Sequence, residues 1–338
     1  MIIGIVGCGG IAHAHVRALS LNKHVCGLAF YDVNNERMHQ LRESSALPVT
    51  FCQELRQLAE MSDGFIICTP NHLHVSMAEK VMSYRKIPFV CEKPLSTDVD
   101  SAERMISISP SLSVVSFNYR YNRVVEMIIR LRRERSLGEL VFFSAAFNKN
   151  SALTRNHITW RDSASQCKSS GALGDLACHL LDIFCLLGDS KIEMSGLRTV
   201  RGTRIREKAG GPVEVDDNGY VFGRSESGAF FQIHASKADE PEALGLHIHV
   251  VFEKGEIRYS TLSENTIFLT SFDRVGNESI EIEHEKILSD PPGELPFWSD
   301  SFIFFHQAWC ELLKSGEKNY LLADLPSGLH IQEVIEEF

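Results

Sequence analysis

The sequence predicts an α/β protein in two parts: an N-terminal domain on a doubly wound parallel sheet, then an α+β domain with a large, mostly antiparallel sheet. Three observations carry this. Short apolar runs alternate with helical patterns over the first 118 residues, which gives a parallel sheet covered by helices on both faces. A glycine cluster, Gly7-Cys8-Gly9-Gly10, stands between the first apolar run and the first helical pattern. From about residue 193 the chain becomes a succession of strand-like runs, some separated by turn signals such as SESG and EKG. The boundary is drawn after Asn118, giving domains of 1–118 and 119–338.

The elements follow in order. IIGIV (2–6) leads to the helical IAHAHVRALSL, VCGLAFYD (25–32) to NNERMHQLRESS, and GFIICTP (64–70) to HLHVSMAEKVMSY. PFVCEKP (88–94) leads to TDVDSAERMISIS, with Ser96, Thr97 or Asp98 as its cap, and SVVSFN (113–118) closes the series. A helix over about 121–135 precedes a long strand, LVFFSAAF (140–147), then a polar loop and the segment SGALGDLACHLLD (170–182). Seven strands follow: MSGLRTVRG, VDDNGYVFG, GAFFQIHAS, LGLHIHVVF, EIRYS, NTIFLTSF and SIEIEHEKI. Helices over 302–316 and near 326–336 end the chain.

Composition narrows the function. A net charge of −10 argues against a nucleic-acid footprint, and no apolar run reaches membrane-spanning length. The N-terminus lacks the basic region of a signal peptide. Nine scattered cysteines with no CxxC pair fit a reduced, cytoplasmic chain.

Gly7 to Ala12 reads G-x-G-x-x-A between a strand and a helix, with Gly9, Gly10 and Ile11 inside the turn. Such a loop lets a pyrophosphate approach the backbone at a helix N-terminus, where free N–H groups favour anions. Asp32 lies twenty residues past Ala12, at the end of the second strand, where a carboxylate accepts from both adenosine ribose hydroxyls and repels a 2′-phosphate. The expected cofactor is therefore NAD, with Arg37 leaving NADP open.

Cys91-Glu92-Lys93-Pro94 ends a further strand, and ligands of such sheets bind at the strands' carboxyl ends, so Lys93 is expected beside the nicotinamide. Pro94 leaves a cis Lys-Pro bond open. In SGALGDLACHLLD, Asp175, His179 and Asp182 stand at spacings of four and three among apolar residues, which on a helix places them on one face.

GCGGIA, TPNHLH (69–74), CEKP (91–94), FNYRYN (117–122), GALGDLACHLLD (171–182) and LLKSGEKNYLLADLPSGLHIQEVI (312–335) together resemble the Gfo/Idh/MocA family of oxidoreductases. The resemblance covers nearly the whole chain. It implies a Rossmann domain followed by a domain whose sheet often forms the interface of a homo-oligomer, dimer or tetramer. It also implies a catalytic set of Lys93, Asp175 and His179. In one departure, Ala177 stands two residues before the histidine, where the family often has glycine; its small side chain is expected to leave the helix intact.

Hydride removal from a secondary alcohol needs a base for the hydroxyl proton and support for the developing alkoxide. His179 suits the proton, Asp175 the orientation of the imidazole or of a substrate hydroxyl, and Lys93 the charge. Asp182 is expected in a supporting part. By resemblance, Thr69, Pro70, Asn71 and His74 border the cofactor, as do Glu92 and Lys93, and Asn118 reaches nicotinamide or substrate. Trp160 and Arg161 join Lys93, Asp175 and His179 as substrate contacts. Arg120, Arg123, Arg155 and Arg161 hint at an acidic group on the substrate. Three H-x-H pairs (13/15, 72/74, 247/249) lack further assignable ligands, and no metal is expected.

The resulting expectation is an NAD(P)-dependent dehydrogenase or reductase of a sugar, cyclitol or nucleotide-sugar hydroxyl, with no nucleic-acid or membrane partner. Alternatives are a non-redox, NAD-dependent glycoside-processing enzyme and a non-catalytic dinucleotide-binding regulator.

Overall fold

Six parallel strands make the first sheet: β1 (Ile2–Val6), β2 (Gly27–Tyr31), β3 (Val49–Phe51), β4 (Gly64–Ile67), β5 (Phe89–Cys91) and β6 (Val114–Val115). Their order is β3-β2-β1-β4-β5-β6. β1 and β4 read as unbroken apolar runs because helices cover both faces, and Ile3, Ile5, Phe65, Ile66 and Ile67 have no exposed surface. The order reverses between β1 and β4, so the glycine loop after β1 and the Thr69 loop after β4 flank the switch point, where such sheets bind ligands. β3 and the helix behind it, Leu55–Met61, were not expected; three residues are too few to show a period. Asp98 caps the helix Val99–Ile108 by accepting from the Ser101 N–H at 2.8 Å.

This computed structural model describes residues 1–263, 265–273 and 276–338, with nothing given for the side chains of Gln166, Lys168 and Glu242. It divides into two units, Met1–Tyr121 with Ser299–Glu333, and Asn122–Trp298 with Val334–Phe338. A single cut after Asn118 therefore misses the return of the late helices to the first unit. Trp309, on the helix Trp298–Ser315, is fully buried beside Gly64 and donates its indole N–H to the Leu112 carbonyl at 3.3 Å. Val115 N–H donates to the Ala323 carbonyl at 2.9 Å, extending the hydrogen bonding past β6.

The second unit holds β7 (Leu140–Asn148), β8 (Arg198–Gly202), a small unexpected hairpin of β9 (Glu207–Lys208) and β10 (Gly211–Pro212), then β11 (Asn218–Arg224), β12 (Phe230–Ser236), β13 (Gly245–Phe252), β14 (Gly255–Ser260), β15 (Thr266–Ser271) and β16 (Asn277–Glu281). The large sheet runs β16-β15-β14-β13-β7-β12-β11-β8; only the β7–β12 pairing is parallel. A strand forms within each of the seven runs expected after residue 193, but Met194–Gly196 is a short helical turn and the last strand stops at Glu281. Burial alternates strictly along β13: Leu246, Ile248, Val250 and Phe252 point inward, His247, His249 and Val251 outward. The helix Cys178–Gly188 lies on the inner face, with the Phe184 ring 5.9 Å from Phe143 and 4.7 Å from Phe231. Among the described residues no helix is long and apolar enough to cross a membrane.

Candidate active site

In the first unit, the glycine loop joins β1 to the helix Gly10–Ser20. Gly7 has φ of +91°, and a Cβ there would stand 2.9 Å from the Cys68 carbonyl carbon, so conformation and space both require glycine. A Cβ on Gly9 or Gly10 would meet nothing within 4 Å. Gly9 caps the helix without a side-chain bond, which leaves first-turn N–H groups for an anion. Ile11 lies in that first turn. Asp32 accepts from the Cys8 N–H at 2.7 Å and the Asn34 N–H at 2.8 Å, holding the loop to β2. A carboxylate offers about four acceptor positions, so roughly two remain for ribose hydroxyls. Beside Gly7, the Thr69 hydroxyl is buried with no hydrogen-bond partner. An open anion cradle, a carboxylate with spare acceptors and an orphaned hydroxyl fit a dinucleotide.

Pro70 and the buried Asn71 begin the short turn after β4, with the Leu73 N–H on the Pro70 carbonyl at 2.8 Å. His74 is fully buried, its ring nitrogens 3.0 Å from the carbonyls of Thr69 and Pro94, and burial lowers its pKa. It braces the Thr69 loop to the Lys93 turn. The Lys93–Pro94 bond is cis and Lys93 is half-buried. Glu92, expected at the cofactor, is instead buried and accepts from His15 Nε2 at 2.8 Å. Burial pushes its carboxyl up, but the His15 contact outweighs this and leaves it below its ordinary range.

His15 Nδ1 meets His306 Nε2 at 2.7 Å, and burial drives His306 well below the usual imidazole range. The His306 Nδ1 on the far side of this chain is left without a partner. His13 turns away to Ser44 at 2.7 Å, as the i, i+2 spacing on a helix requires. Asn118 is buried and its amide donates to Ser301 at 2.8 Å.

In the second unit, SGALGDLACHLLD departs from the expected regular helix. Leu173–Ala177 form a π turn that continues as the α-helix Cys178–Gly188, and Ala177 is fully buried in it. The cause is local. Ala172 and Leu173 N–H groups donate to the Asp216 carbonyl and carboxylate, each at 2.9 Å. A Cβ on Gly174 would stand 2.2 Å from the Ser169 carbonyl, so the chain passes there only as glycine. Such turns occur frequently at functional sites. Asp175 keeps 31% of its side chain exposed and its carboxylate lies 2.7 Å from Lys237 Nζ; His179 and Asp182 are buried. Burial raises the Asp216 carboxyl, partly offset by the Leu173 N–H and the Lys237 charge.

The loop before this segment carries Trp160 and Arg161 in a short turn, with the guanidinium stacked 4.2 Å from the indole centre. Ser170 donates to the Arg161 carbonyl at 2.8 Å, tying loop to segment. Asp162 is the loop's anchor. It accepts from Arg155 and Lys208, both at 2.7 Å, and from the Thr159 N–H at 2.9 Å. Burial raises its carboxyl, but these donors hold it well below the usual range. Arg155 is thus engaged by Asp162, and Arg123 by Glu126 at 2.7 Å, which weakens their expected part in binding an acidic substrate group.

The sequence reading missed Lys237, Asp216, Asp162 and Lys208. Each is a charge in a loop or at a strand end, and Lys208 meets Asp162 across 46 residues, beyond any local pattern. Among the described residues no group of three or more His, Cys, Asp or Glu is placed to hold a metal.

The profile of an oxidoreductase family with an NAD-binding Rossmann fold, Gfo/Idh/MocA, matches residues 1–119, and that of the Gfo/Idh/MocA C-terminal domain matches residues 125–258. Glucose-6-phosphate 3-dehydrogenase of Bacillus subtilis is 33% identical over 99% of this chain and 95% of its own length. Myo-inositol 2-dehydrogenase of Thermotoga maritima is 25% identical over 80% of this chain and 78% of its own. A solved structure of levoglucosan dehydrogenase in complex with NADH superposes with a TM-score of 0.84 at 20% identity, over 100% of this chain and 96% of that one. The last likeness is one of fold.

Proposed function

The chain belongs to the Gfo/Idh/MocA family of oxidoreductases, and from that premise we propose that it uses NAD to oxidise a secondary hydroxyl of a sugar, cyclitol or nucleotide sugar, or to reduce the matching ketone. The observation that carries the reading is the Asp175–His179 turn. It sets a partly exposed carboxylate, held by an ammonium, one turn before an imidazole, in the stretch the C-terminal family profile matches. The nicotinamide would take the hydride. His179 receives the hydroxyl proton, Asp175 orients the imidazole or a neighbouring substrate hydroxyl, and Lys93 supplies positive charge for the alkoxide. Asp32 supports NAD over NADP, since a 2′-phosphate would bring like charge to its carboxylate.

The test is nicotinamide reduction with a panel of hexoses, hexose phosphates, cyclitols, uronic acids and nucleotide sugars. One class should reduce NAD, and Lys93→Ala and His179→Ala should each lower kcat by roughly 10²–10⁴-fold. A panel that reduces nothing, although NAD binds, overturns the reading. The cofactor site has its own check. Gly9→Ala, with ordinary φ and open space, should leave stability unchanged while weakening NAD binding; Gly7→Ala should in addition cost about 1–3 kcal/mol of stability.

We also propose a homo-oligomer formed through the outer face of the large sheet. Phe222, Gln232, Ser144, His249, Arg258 and Phe268 make one row across it, and Tyr220, Phe222, Phe230 and Phe268 stand exposed there. A shallow groove of about 640 Å³ crosses that face. Tyr220→Asp with Phe222→Asp should release monomers in sedimentation; a wild type that sediments as a monomer overturns the proposal. Nine scattered cysteines with no CxxC pair support a reducing, cytoplasmic setting.

A further inference from the structure

We propose that Lys237 is a positioning residue of the reaction: its ammonium fixes Asp175 in place as a carboxylate, so that His179 and not Asp175 receives the substrate's proton. The inference rests on the dehydrogenase reading above and concerns a side chain outside the catalytic set that reading uses.

Lys237 follows β12 directly, and its side chain is only 7% exposed. A buried ammonium costs several kcal/mol unless it is paired and hydrogen-bonded. Here it is both. Nζ lies 2.7 Å from the Asp175 carboxylate and donates to the Ser170 carbonyl at 2.8 Å. The backbone around it is also held, with the Lys237 N–H on the Asp217 carbonyl at 2.7 Å and the Lys149 N–H on the Ser236 carbonyl at 2.8 Å. The lysine therefore comes from the end of a sheet strand, while Ser170 lies before the π turn and Asp175 within it. That arrangement locks the turn's carboxylate to a rigid element, a requirement for holding a reacting group in one geometry.

The charges around Asp175 within its unit favour the assignment. Lys237 faces it from the end of β12. Asp216, in the loop before β11 with Arg201 acting on it, also feels the Lys237 charge, and His179 stands one turn further along the segment of Asp175. Protonating Asp175 would leave a buried cation with a neutral partner. Protonating His179 leaves the Lys237–Asp175 pair intact and puts the new positive charge one turn from a carboxylate. The ion pair thus supplies a physical basis for the division of labour between Asp175 and His179.

Two measurements test this. The first uses the wild-type chain with carboxyl-labelled aspartate, with Asp175→Asn assigning the signal in a carbon NMR pH titration. Asp175 should remain ionised down to the pH at which the fold is lost, and its titration should rise by a unit or more in Lys237→Met. Protonation at or above the ordinary aspartate value of about 3.9 in the wild type overturns the proposal. The wild-type result decides even if the variant fails to fold. The second is the pH profile of kcat/KM. Lys237→Met should move the acid limb to higher pH and lower kcat more than it raises KM, while Lys237→Arg should keep the limb in place. A loss of equal size at every pH, with the limb unmoved, marks a purely structural lysine and overturns the proposal. A wild type that reduces no NAD at all sinks the dehydrogenase reading instead, and the titration still decides the ion pair.

Discussion

Around Lys93 the buried polar groups are histidines; around Asp175 and its loop they are ion pairs. Glu92 is held by His15 and His306, and His74 braces the turn from the other side, with two of these rings kept neutral by burial. Asp162 is held by Lys208 and Arg155, and Asp175 by Lys237. The first arrangement holds one buried carboxylate with imidazoles and answers to pH near neutrality. The second buries charge and compensates it, so it answers only to strong acid or to loss of a partner.

The largest break in this comparison is Asp162→Asn. It strands the Lys208 ammonium, 3% exposed, with a neutral partner, and should cost about 3–5 kcal/mol in denaturant unfolding. Replacing Asp162 and Lys208 together by Leu and Met should recover most of that loss; no recovery would mean that the charges are not what holds the loop. The wild-type sign follows from the direction of the Asp162 shift. A carboxyl held below its ordinary 3.8 contributes stability above that pH and loses it as pH falls through the lower native value.

Glu92→Gln comes next. The amide oxygen still accepts from His15, so the cost should be about 1–2 kcal/mol, and a loss as large as that of Asp162→Asn would erase the distinction between the two regions. The smallest effect is a pH dependence. His306 resists protonation in the fold, whereas the unfolded chain takes up a proton as pH falls through about 6.5, so stability declines on acidification. His306→Phe should remove about 1 kcal/mol of the decline between pH 7 and pH 5.5. Parallel stability curves for variant and wild type over that window would show that the ring is not neutral.

Much of the first region was legible beforehand. GCGGIA between strand and helix, Asp32 at the end of β2 and Lys93 before a proline are local signals, and each stands where its neighbours in sequence place it. Glu92 was legible as a position and not as a role, because its partners lie on the first helix and on the helix Trp298–Ser315. The seven late strands were read from alternation and turns, whereas β3 was too short for either. Asp175 and His179 stood out as charges in an apolar run. Their geometry did not, since the π turn arises from Gly174 packing on Ser169 and from Asp216 receiving two backbone donors. The boundary after Asn118 had a local signal, and the return of Ser299–Glu333 had none.

That return sets the order in which the chain matures. The first unit is interrupted by the 177 residues from Asn122 to Trp298, so the strands made first wait for the segment that completes their packing. At a synthesis rate of roughly 5–20 residues per second the wait is on the order of ten to thirty-five seconds. During it, the surface later covered by Trp309, the Leu112 carbonyl and the Val115 N–H all lack their final partners. A nascent chain halted before residue 299 is therefore a natural client for a chaperone that binds exposed apolar surface.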